Sequence, residues 1–480
     1  MSGKGPALAR VALCQNTMVE YMGLMSISAV LKKAGHEVEV FIDTYLRQDR
    51  FVKDIKRFNP DIVGLSILTP SVPWALNAVK RIKKETTALT VLGGIHAITT
   101  PEIINEEGVD IVCLGEGESC MEELCSALDR GLDYTAIEGL WVKKDGLIHH
   151  NAKLSTLEDI EALPYPDRAL YNKYAYFHNS RFLRLLISRG CPFSCTFCYN
   201  PVLREQFGGK GYLRRLSPES AIAFIENMIN NHPRPVRHLY FADEVLWTNN
   251  IWLREFLTLY KKKINLPFTA AFRFGPIEEK DIQLMADAGA WAMGVSAETG
   301  DEQQRINLLG KHVSNDHIIE VTGWLRKYGI LYATTVMFGL PGDTVADHVK
   351  RLDFYRSLHA NYVWTAFFQP YPGIALCAHP AVIAAMPKDT KFNVTFHHNM
   401  TLDLPERDRL IRLKKIYDLC VRFPLLEKPL VALTRYRIPF LFDILFFLHF
   451  TYYALRAEKL SLFQYMYHIK LSIVMPLFRR

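Results

Sequence analysis

The sequence predicts an α/β protein: two successive series of strand–helix units, then a mostly helical C-terminal region. Three observations predict this. Short apolar runs alternate with amphipathic stretches over residues 1–135. A Pro-containing connector, Leu154–Asn172, with Pro164-Tyr165-Pro166-Asp167 at its centre, interrupts the pattern. A second alternating series then runs from Phe182 to Phe368. Strand–helix alternation reads as parallel sheet covered by helices.

In the first series the predicted strands are Arg10–Cys14, Glu37–Ile42, Asp61–Ser66, Thr90–Gly94 and Asp110–Gly115. Helices Gly23–Ala34 and Pro73–Glu85 lie between them, and Gly35-His36 is a helix stop. Their order predicts a doubly wound parallel sheet with its functional loops at the strand ends. Gly139–His150 reads as a hairpin turning at Asp145-Gly146. The second series has strands Phe182–Ser188, Arg237–Ala242, Pro267–Phe272, Trp291–Ser296, Ile330–Phe338 and Asn361–Phe368. Six such units predict a partial (β/α)6 barrel of the TIM type, with its site at the C-terminal strand ends. The expected division is 1–135, a hairpin and linker at 136–175, a barrel at 176–400 and a helical region at 401–480.

Composition narrows the classes. A chain of 480 residues with 49% hydrophobic and 22% charged residues is globular, neither disordered nor collagenous. Its net charge of +7 is spread out, and short runs such as Lys261-Lys262-Lys263 fit a solvated helix face, so nucleic acid is not expected as a partner. The opening residues contain no apolar stretch followed by a small-residue cleavage site, which predicts a cytoplasmic protein. Residues 421–480 hold nine Lys/Arg against three acids, and Ile438–Leu455 is rich in Phe, Leu and Tyr. Asp443 and His449 interrupt that stretch, leaving it shorter than the roughly 20 apolar residues of a spanning helix. The tail reads as a helical cap over the barrel mouth, a buried helix pair, or an interfacial patch that makes the protein membrane-associated.

Three of the nine cysteines, Cys191, Cys195 and Cys198, fall within eight residues just after a predicted strand. Clustering of this kind in a cytoplasmic chain favours metal ligation over disulfides. Three thiolates on one tight loop suit three irons of a 4Fe–4S cubane and leave the fourth iron without a protein ligand. That iron can take the amino and carboxylate groups of S-adenosylmethionine. The competing zinc site needs a fourth ligand, and no matching second pair follows. Phe197 is expected to pack over the cluster. Of the other cysteines, Cys14 and Cys113 are expected in the core, and Cys377 is the candidate for a substrate-side role.

With its CxxxCxxC loop the chain resembles the radical S-adenosylmethionine enzymes of the cobalamin-binding subgroup, over residues 5–375. The resemblance implies further site residues. Asp243 and Glu244, ending the second barrel strand, would meet the amino group of S-adenosylmethionine, although one could instead cap the following helix. Arg273 would face its carboxylate, or form a rim salt bridge. Ser296-Ala-Glu298-Thr-Gly300 resembles the family's Glu-Ser-Gly motif, with Thr for Ser. Met337-Phe-Gly339-Leu-Pro341-Gly342 resembles its Gly-x-Pro-Gly turn, and Pro370-Tyr371-Pro372-Gly373 its last barrel turn.

The same resemblance implies cobalamin in the first unit. Ser66-Ile-Leu68 and Gly93-Gly94 match the family's Ser-x-Leu and Gly-Gly elements, with 24 residues between them, and 42 residues stand between Gly23 and Ser66. The Asp and His of the first motif are replaced by Met18 and Glu20, so no imidazole from this loop is expected on cobalt. Gly93-Gly94-Ile-His96 and Gly115-Glu116-Gly117-Glu118 would lie close to the corrin or its tail.

The resemblance implies that S-adenosylmethionine, reduced at the cluster, gives a 5′-deoxyadenosyl radical, and that cobalamin delivers a methyl group to the substrate radical. The expected activity is C-methylation of an apolar, lipid-like or secondary-metabolite small molecule, fed by an external electron donor such as flavodoxin or ferredoxin. Two alternatives stand beside it: an anaerobic oxidative cyclisation of the tetrapyrrole-ring-forming type, and a non-catalytic iron–sulfur redox or regulatory protein.

Overall fold

The first sheet grows outward from its earliest strand: β1 (Arg10–Gln15), flanked by β2 (Glu37–Ile42) and β3 (Ile62–Ser66), then β4 (Leu89–Gly93) and β5 (Ile111–Cys113). These five pair in parallel in the order β2-β1-β3-β4-β5. The computed structural model describes residues 8–43, 48–151, 154, 156–209, 212–246, 248–388 and 399–457. The strands form because their apolar side chains serve both faces. Val11, Leu13, Val40 and Val91 pack on one face, with helices Met22–Lys33 and Gly117–Asp129. Ala12, Cys14, Val63 and Leu92 pack on the other, with helices Gln48–Phe58 and Val72–Glu85. Gly35, at φ +98°, ends the first helix as expected, and its N–H donates to the Lys32 carbonyl.

The hairpin is β6 (Leu140–Lys144) and β7 (Leu147–His150), turning at Asp145 and Gly146, both at positive φ. The hairpin expected between the two units joins the first sheet. β6 pairs antiparallel with β5, so the hairpin extends the first sheet to seven strands. Pairing with β5 satisfies an edge that would otherwise present free backbone groups.

The second unit begins with β8 (Phe182–Leu185). The short strands β9 (Ser188–Arg189) and β10 (Arg214–Arg215) then form an antiparallel ribbon beside the cysteine loop. The barrel continues with β11 (His238–Phe241), β12 (Phe268–Phe272), β13 (Ala290–Glu298), β14 (Leu331–Phe338) and β15 (Tyr362–Phe367). All six barrel strands pair in parallel in sequence order, β8 at one edge and β15 at the other, as the six predicted units require.

Helix Arg407–Arg422 lies along β15 rather than over the barrel mouth: Asp418 Oδ1 accepts from the Val363 N–H at 2.7 Å, and the Lys414 carbonyl accepts from Thr365. It covers the free edge. Helix Leu441–Ala457 packs against it in turn, and Lys415 pairs with Asp443 at 2.6 Å. No helix among the described residues is long and apolar enough to cross a membrane. The part of the expected tail beyond Ala457 lies outside the described residues.

Candidate two-cofactor site

Strand order reverses between β1 and β3, and the loops leaving β1, β3, β4 and β5 converge beside that point. In open α/β sheets this crevice is where ligands bind. A cavity of about 550 Å³ opens here. Gly23, Ser66, Gly93, Gly94, Gly115 and Glu116 border it on the sheet side, and it reaches inward to Leu13, Gly64 and Val91. Arg189, Tyr212, Phe224 and Glu244 border it from the barrel side. Gly23 leaves nothing within 4 Å of where a Cβ would stand. Gly94, at φ +99°, passes so near Ile67 that a Cβ would stand 2.8 Å from that carbonyl oxygen. Backbone therefore forms much of the wall, which fits a large flat group with a tail reaching into an apolar slot.

Two of the expected cobalamin-side residues stand back from the cavity wall. Leu68 is 47% exposed on the loop after β3. His96 is buried, its Nδ1 3.1 Å from Thr69 Oγ1, and burial lowers its pKa. Thr69 Oγ1 is also 2.9 Å from the Tyr199 hydroxyl, one residue after Cys198. Glu20, at the position of the family's histidine, is buried in an ion pair with Arg168 at 2.9 Å.

The cysteine loop leaves β9 and is held along its length. Arg204 donates to the Pro192 carbonyl and to Ser194 Oγ. The Thr196 N–H donates to the Leu309 carbonyl at 3.1 Å, and the Thr196 carbonyl accepts from the Leu376 N–H at 2.8 Å. Cys191, Cys195 and Cys198 are free, half-buried thiols. Burial, with the neighbouring cysteines adding to it, pushes Cys191 up to about 11 and raises Cys198. Among the described residues no three His, Cys, Asp or Glu side chains converge on one mononuclear metal point. Three free thiols on one loop suit three corners of a 4Fe–4S cubane. Phe197 joins an apolar cluster with Leu309, Leu340 and Phe368.

The residues expected around S-adenosylmethionine sit at the C-terminal ends of neighbouring barrel strands. Arg273 Nη1 lies 2.9 Å from Cys195 Sγ, its guanidinium stacked 4.0 Å over Phe193. Asp243 is buried and accepts from the Ile187 N–H at 3.1 Å and from the Ser188 hydroxyl. Burial raises its pKa to about 7. Glu244 points into the cavity, reachable by water yet walled by protein, and that desolvation raises its pKa. Glu298, at φ +65°, pairs with buried Lys311 at 3.1 Å and accepts from Thr335 at 2.9 Å. Cys377, half-buried, donates to the Tyr371 carbonyl.

Sequence reasoning missed the ion pairs that join the two units. Glu116 Oε1 meets Arg189 at 2.8 Å and Glu116 Oε2 meets Arg214 at 2.6 Å, while Glu118 meets Arg189 at 2.6 Å. Burial disfavours the Glu116 carboxylate, but the two guanidiniums hold its pKa below the usual range. The only signal was two acids in Gly115-Glu116-Gly117-Glu118 and an arginine two residues before Cys191.

An open α/β sheet facing a partial barrel, with a ligand-sized cavity on one side and a three-thiol loop on the other, defines an enzyme that holds two cofactors together. The comparisons agree. Residues 11–125 match the B12 binding domain family, and residues 185–355 match the Radical SAM superfamily. The chain is 26% identical over 364 residues to an uncharacterized methyltransferase of Pyrococcus horikoshii, covering 74% of this chain and 77% of that one. It is 25% identical over 363 residues to the anaerobic magnesium-protoporphyrin IX monomethyl ester cyclase of Rubrivivax gelatinosus, spanning 72% of this chain and 63% of the cyclase. The radical S-adenosylmethionine methyltransferase TsrM from Kitasatospora setae, solved with cobalamin and a 4Fe–4S cluster bound, superposes with a TM-score of 0.63 at 16% identity. That match covers 89% of this chain and 99% of TsrM, and it establishes the fold. The chain joins a B12-binding domain to a Radical SAM domain, the pair found in cobalamin-dependent radical S-adenosylmethionine enzymes, and its cofactors are a 4Fe–4S cluster, S-adenosylmethionine and cobalamin.

Proposed function

We propose that this enzyme methylates an unactivated carbon of an apolar or lipid-like small molecule. The observation that carries the reading is the apolar wall that the connector and barrel add to the cavity opposite the cobalamin side, Leu163, Leu186, Leu216, Ala223 and Phe224. An apolar wall with a few polar groups such as Glu161 and Glu244 in the same cavity suits an apolar substrate oriented by one polar end. When bound, the cluster supplies the electron that cleaves S-adenosylmethionine and cobalamin supplies the methyl group.

The chain's own residues do the holding. Cys191, Cys195 and Cys198 ligate the cluster. Glu244 and Arg273 take the charged ends of S-adenosylmethionine, and Asp243 and Glu298 fix the strand ends around it. Gly23, Ser66, Gly93, Gly94 and Gly115 would let cobalamin lie against backbone, while Leu68 and His96 stand behind that wall. The described residues up to 150 then form the cobalamin unit, with its hairpin, and the described residues from 176 to 457 the barrel and its helical C-terminal cover. Exposed Leu425, Tyr436, Phe440 and Leu448 beside Lys428, Arg435 and Arg437 support delivery of a lipid-like substrate at an anionic membrane surface.

Similarity to the cyclase favours a second reading, oxidative ring closure. Reduced, reconstituted protein given S-adenosylmethionine carrying a labelled methyl group separates them. Methylation predicts 5′-deoxyadenosine together with label passing to cobalamin, and Cys191→Ala losing both. Formation of 5′-deoxyadenosine without label transfer would refute methylation, and no 5′-deoxyadenosine at all would exclude either activity.

A further inference from the structure

We propose that the cysteine loop and the cobalamin unit are coupled through two polar ties, one at each end of the loop, so that filling one cofactor site alters the other. The inference rests on the reading that Cys191, Cys195 and Cys198 carry the cluster.

The first tie enters before Cys191. Arg189 is the last residue of β9, and only Gly190 separates it from the first cysteine. Its guanidinium meets Glu116 at 2.8 Å and Glu118 at 2.6 Å, and it donates to Ser26 Oγ at 3.2 Å. All three partners belong to the cobalamin unit. Arg214, on the strand paired with β9, takes the other oxygen of Glu116 at 2.6 Å. Two carboxylates and two guanidiniums thus balance in charge, and their side chains are 4–21% exposed. A neutral, hydrogen-bonded quartet of that burial holds one geometry, because separating its members would leave desolvated charge behind. Gly190, at φ +89°, passes so close to Tyr212 that a Cβ would clash with its carbonyl, so the chain between the tie and Cys191 has no slack.

The second tie leaves after Cys198. Tyr199 stacks on Tyr371 at 5.8 Å, and its hydroxyl lies 2.9 Å from Thr69 Oγ1 in the cobalamin unit. Thr69 is in turn 3.1 Å from His96 Nδ1, on the short helix that begins directly after Gly94.

Both ties start at the cavity edge, Glu116 after Gly115 and His96 after Gly94, and both end next to a cysteine. The middle of the loop is fastened to the barrel through Thr196. A group that fills the cavity presses on Gly94 and Gly115, and the ties carry that displacement to the two outer cysteines. Coupling of this kind is reciprocal: cobalamin tightens the cluster site for S-adenosylmethionine by the same factor that S-adenosylmethionine tightens the cavity for cobalamin.

The test uses full-length protein with its cluster assembled. S-adenosylmethionine is titrated against the oxidised cluster, where it is not cleaved, with and without hydroxocobalamin. Separately, the EPR spectrum of the reduced cluster is recorded with and without hydroxocobalamin. In wild type, hydroxocobalamin should tighten S-adenosylmethionine binding by about fivefold or more and shift the EPR signal. Thr69→Val and Tyr199→Phe each remove one hydroxyl and keep the packing. Each should retain the cluster and both binding reactions while the tightening falls to half or less. A wild-type factor near one, or an unchanged factor and EPR shift in the hydroxyl variants, overturns the coupling. A wild-type protein that assembles no cluster overturns the cysteine assignment on which it rests.

Discussion

Gly94→Ala tests whether the crevice between β3 and β4 is shaped by backbone alone. Gly94 has φ +99° and ψ −178°, a region open essentially to glycine, and placing alanine there costs about 1–3 kcal/mol. The new Cβ would also stand 2.8 Å from the Ile67 carbonyl oxygen, 3.0 Å from the Ile67 nitrogen and 3.2 Å from Ser66 Oγ. Two of these are backbone atoms of the neighbouring strand end, so relief requires chain movement, at roughly 1–3 kcal/mol more. Together they make about 4 kcal/mol, or roughly an 8–16 °C fall in the melting temperature of a unit this size. Gly131→Ala is the control: φ is +61° and nothing lies within 4 Å, so only the conformational cost of about 1 kcal/mol remains. Calorimetry of both variants gives the stability difference, and hydroxocobalamin titration should show at least tenfold weaker binding for Gly94→Ala only. Equal melting temperatures in the two variants, or unchanged cobalamin affinity in Gly94→Ala, would refute the argument.

Lys414 is buried among Phe367, Phe446 and the helix that covers β15, and desolvation lowers its pKa to about 7. The unfolded chain keeps that proton to about 10.5 while the folded protein releases it near 7, so stability rises with pH between those values, by at most about 5 kcal/mol. Lys414→Met should flatten that rise in urea unfolding followed against pH; a parallel pH dependence in the two proteins would contradict it. If the apolar, basic surface around Leu425 and Phe440 meets membrane, the protein should co-sediment with anionic vesicles at low salt and be released as salt rises. Leu425→Ser/Phe440→Ser should weaken that binding, and a protein that stays in the supernatant at every salt concentration excludes it.

Local signals gave the elements and their boundaries. β2 lies where its apolar run places it, and helix Met22–Lys33 differs from the predicted Gly23–Ala34 by one residue at each end. Asp145-Gly146 announced a hairpin because αL-tolerant residues are a local requirement. Nothing local states which strand a hairpin will pair with, so its place beside β5 was not legible. The same limit governs the site. The cysteine spacing is contained in eight residues and can be read. The ion pairs of Glu116 could not be read, because its partners, Arg189 and Arg214, lie 73 and 98 positions away. Asp243, expected to face S-adenosylmethionine, spends its hydrogen bonds on Ile187 and Ser188, 56 and 55 positions earlier, where it shapes the entry to the cysteine loop.

The connector between the two units bears on how they work together. A Pro-containing segment suggests a hinge, but its latter part is fastened to the first sheet. The Asp167 carboxylate accepts from Ser28 and Lys32, and Tyr171 donates to Gln15 while accepting from the Tyr21 N–H. The Ile42 N–H donates to the Tyr174 hydroxyl. One apolar cluster then runs without a break from Val11 and Leu13, through Tyr171 and Phe177, to Leu183 and Leu185 at the start of the barrel. Units that share a core do not swing freely, since opening them would expose apolar surface and the Glu116–Arg189 quartet at once. The spacing between the cysteine loop and the cavity is therefore built into the folded chain.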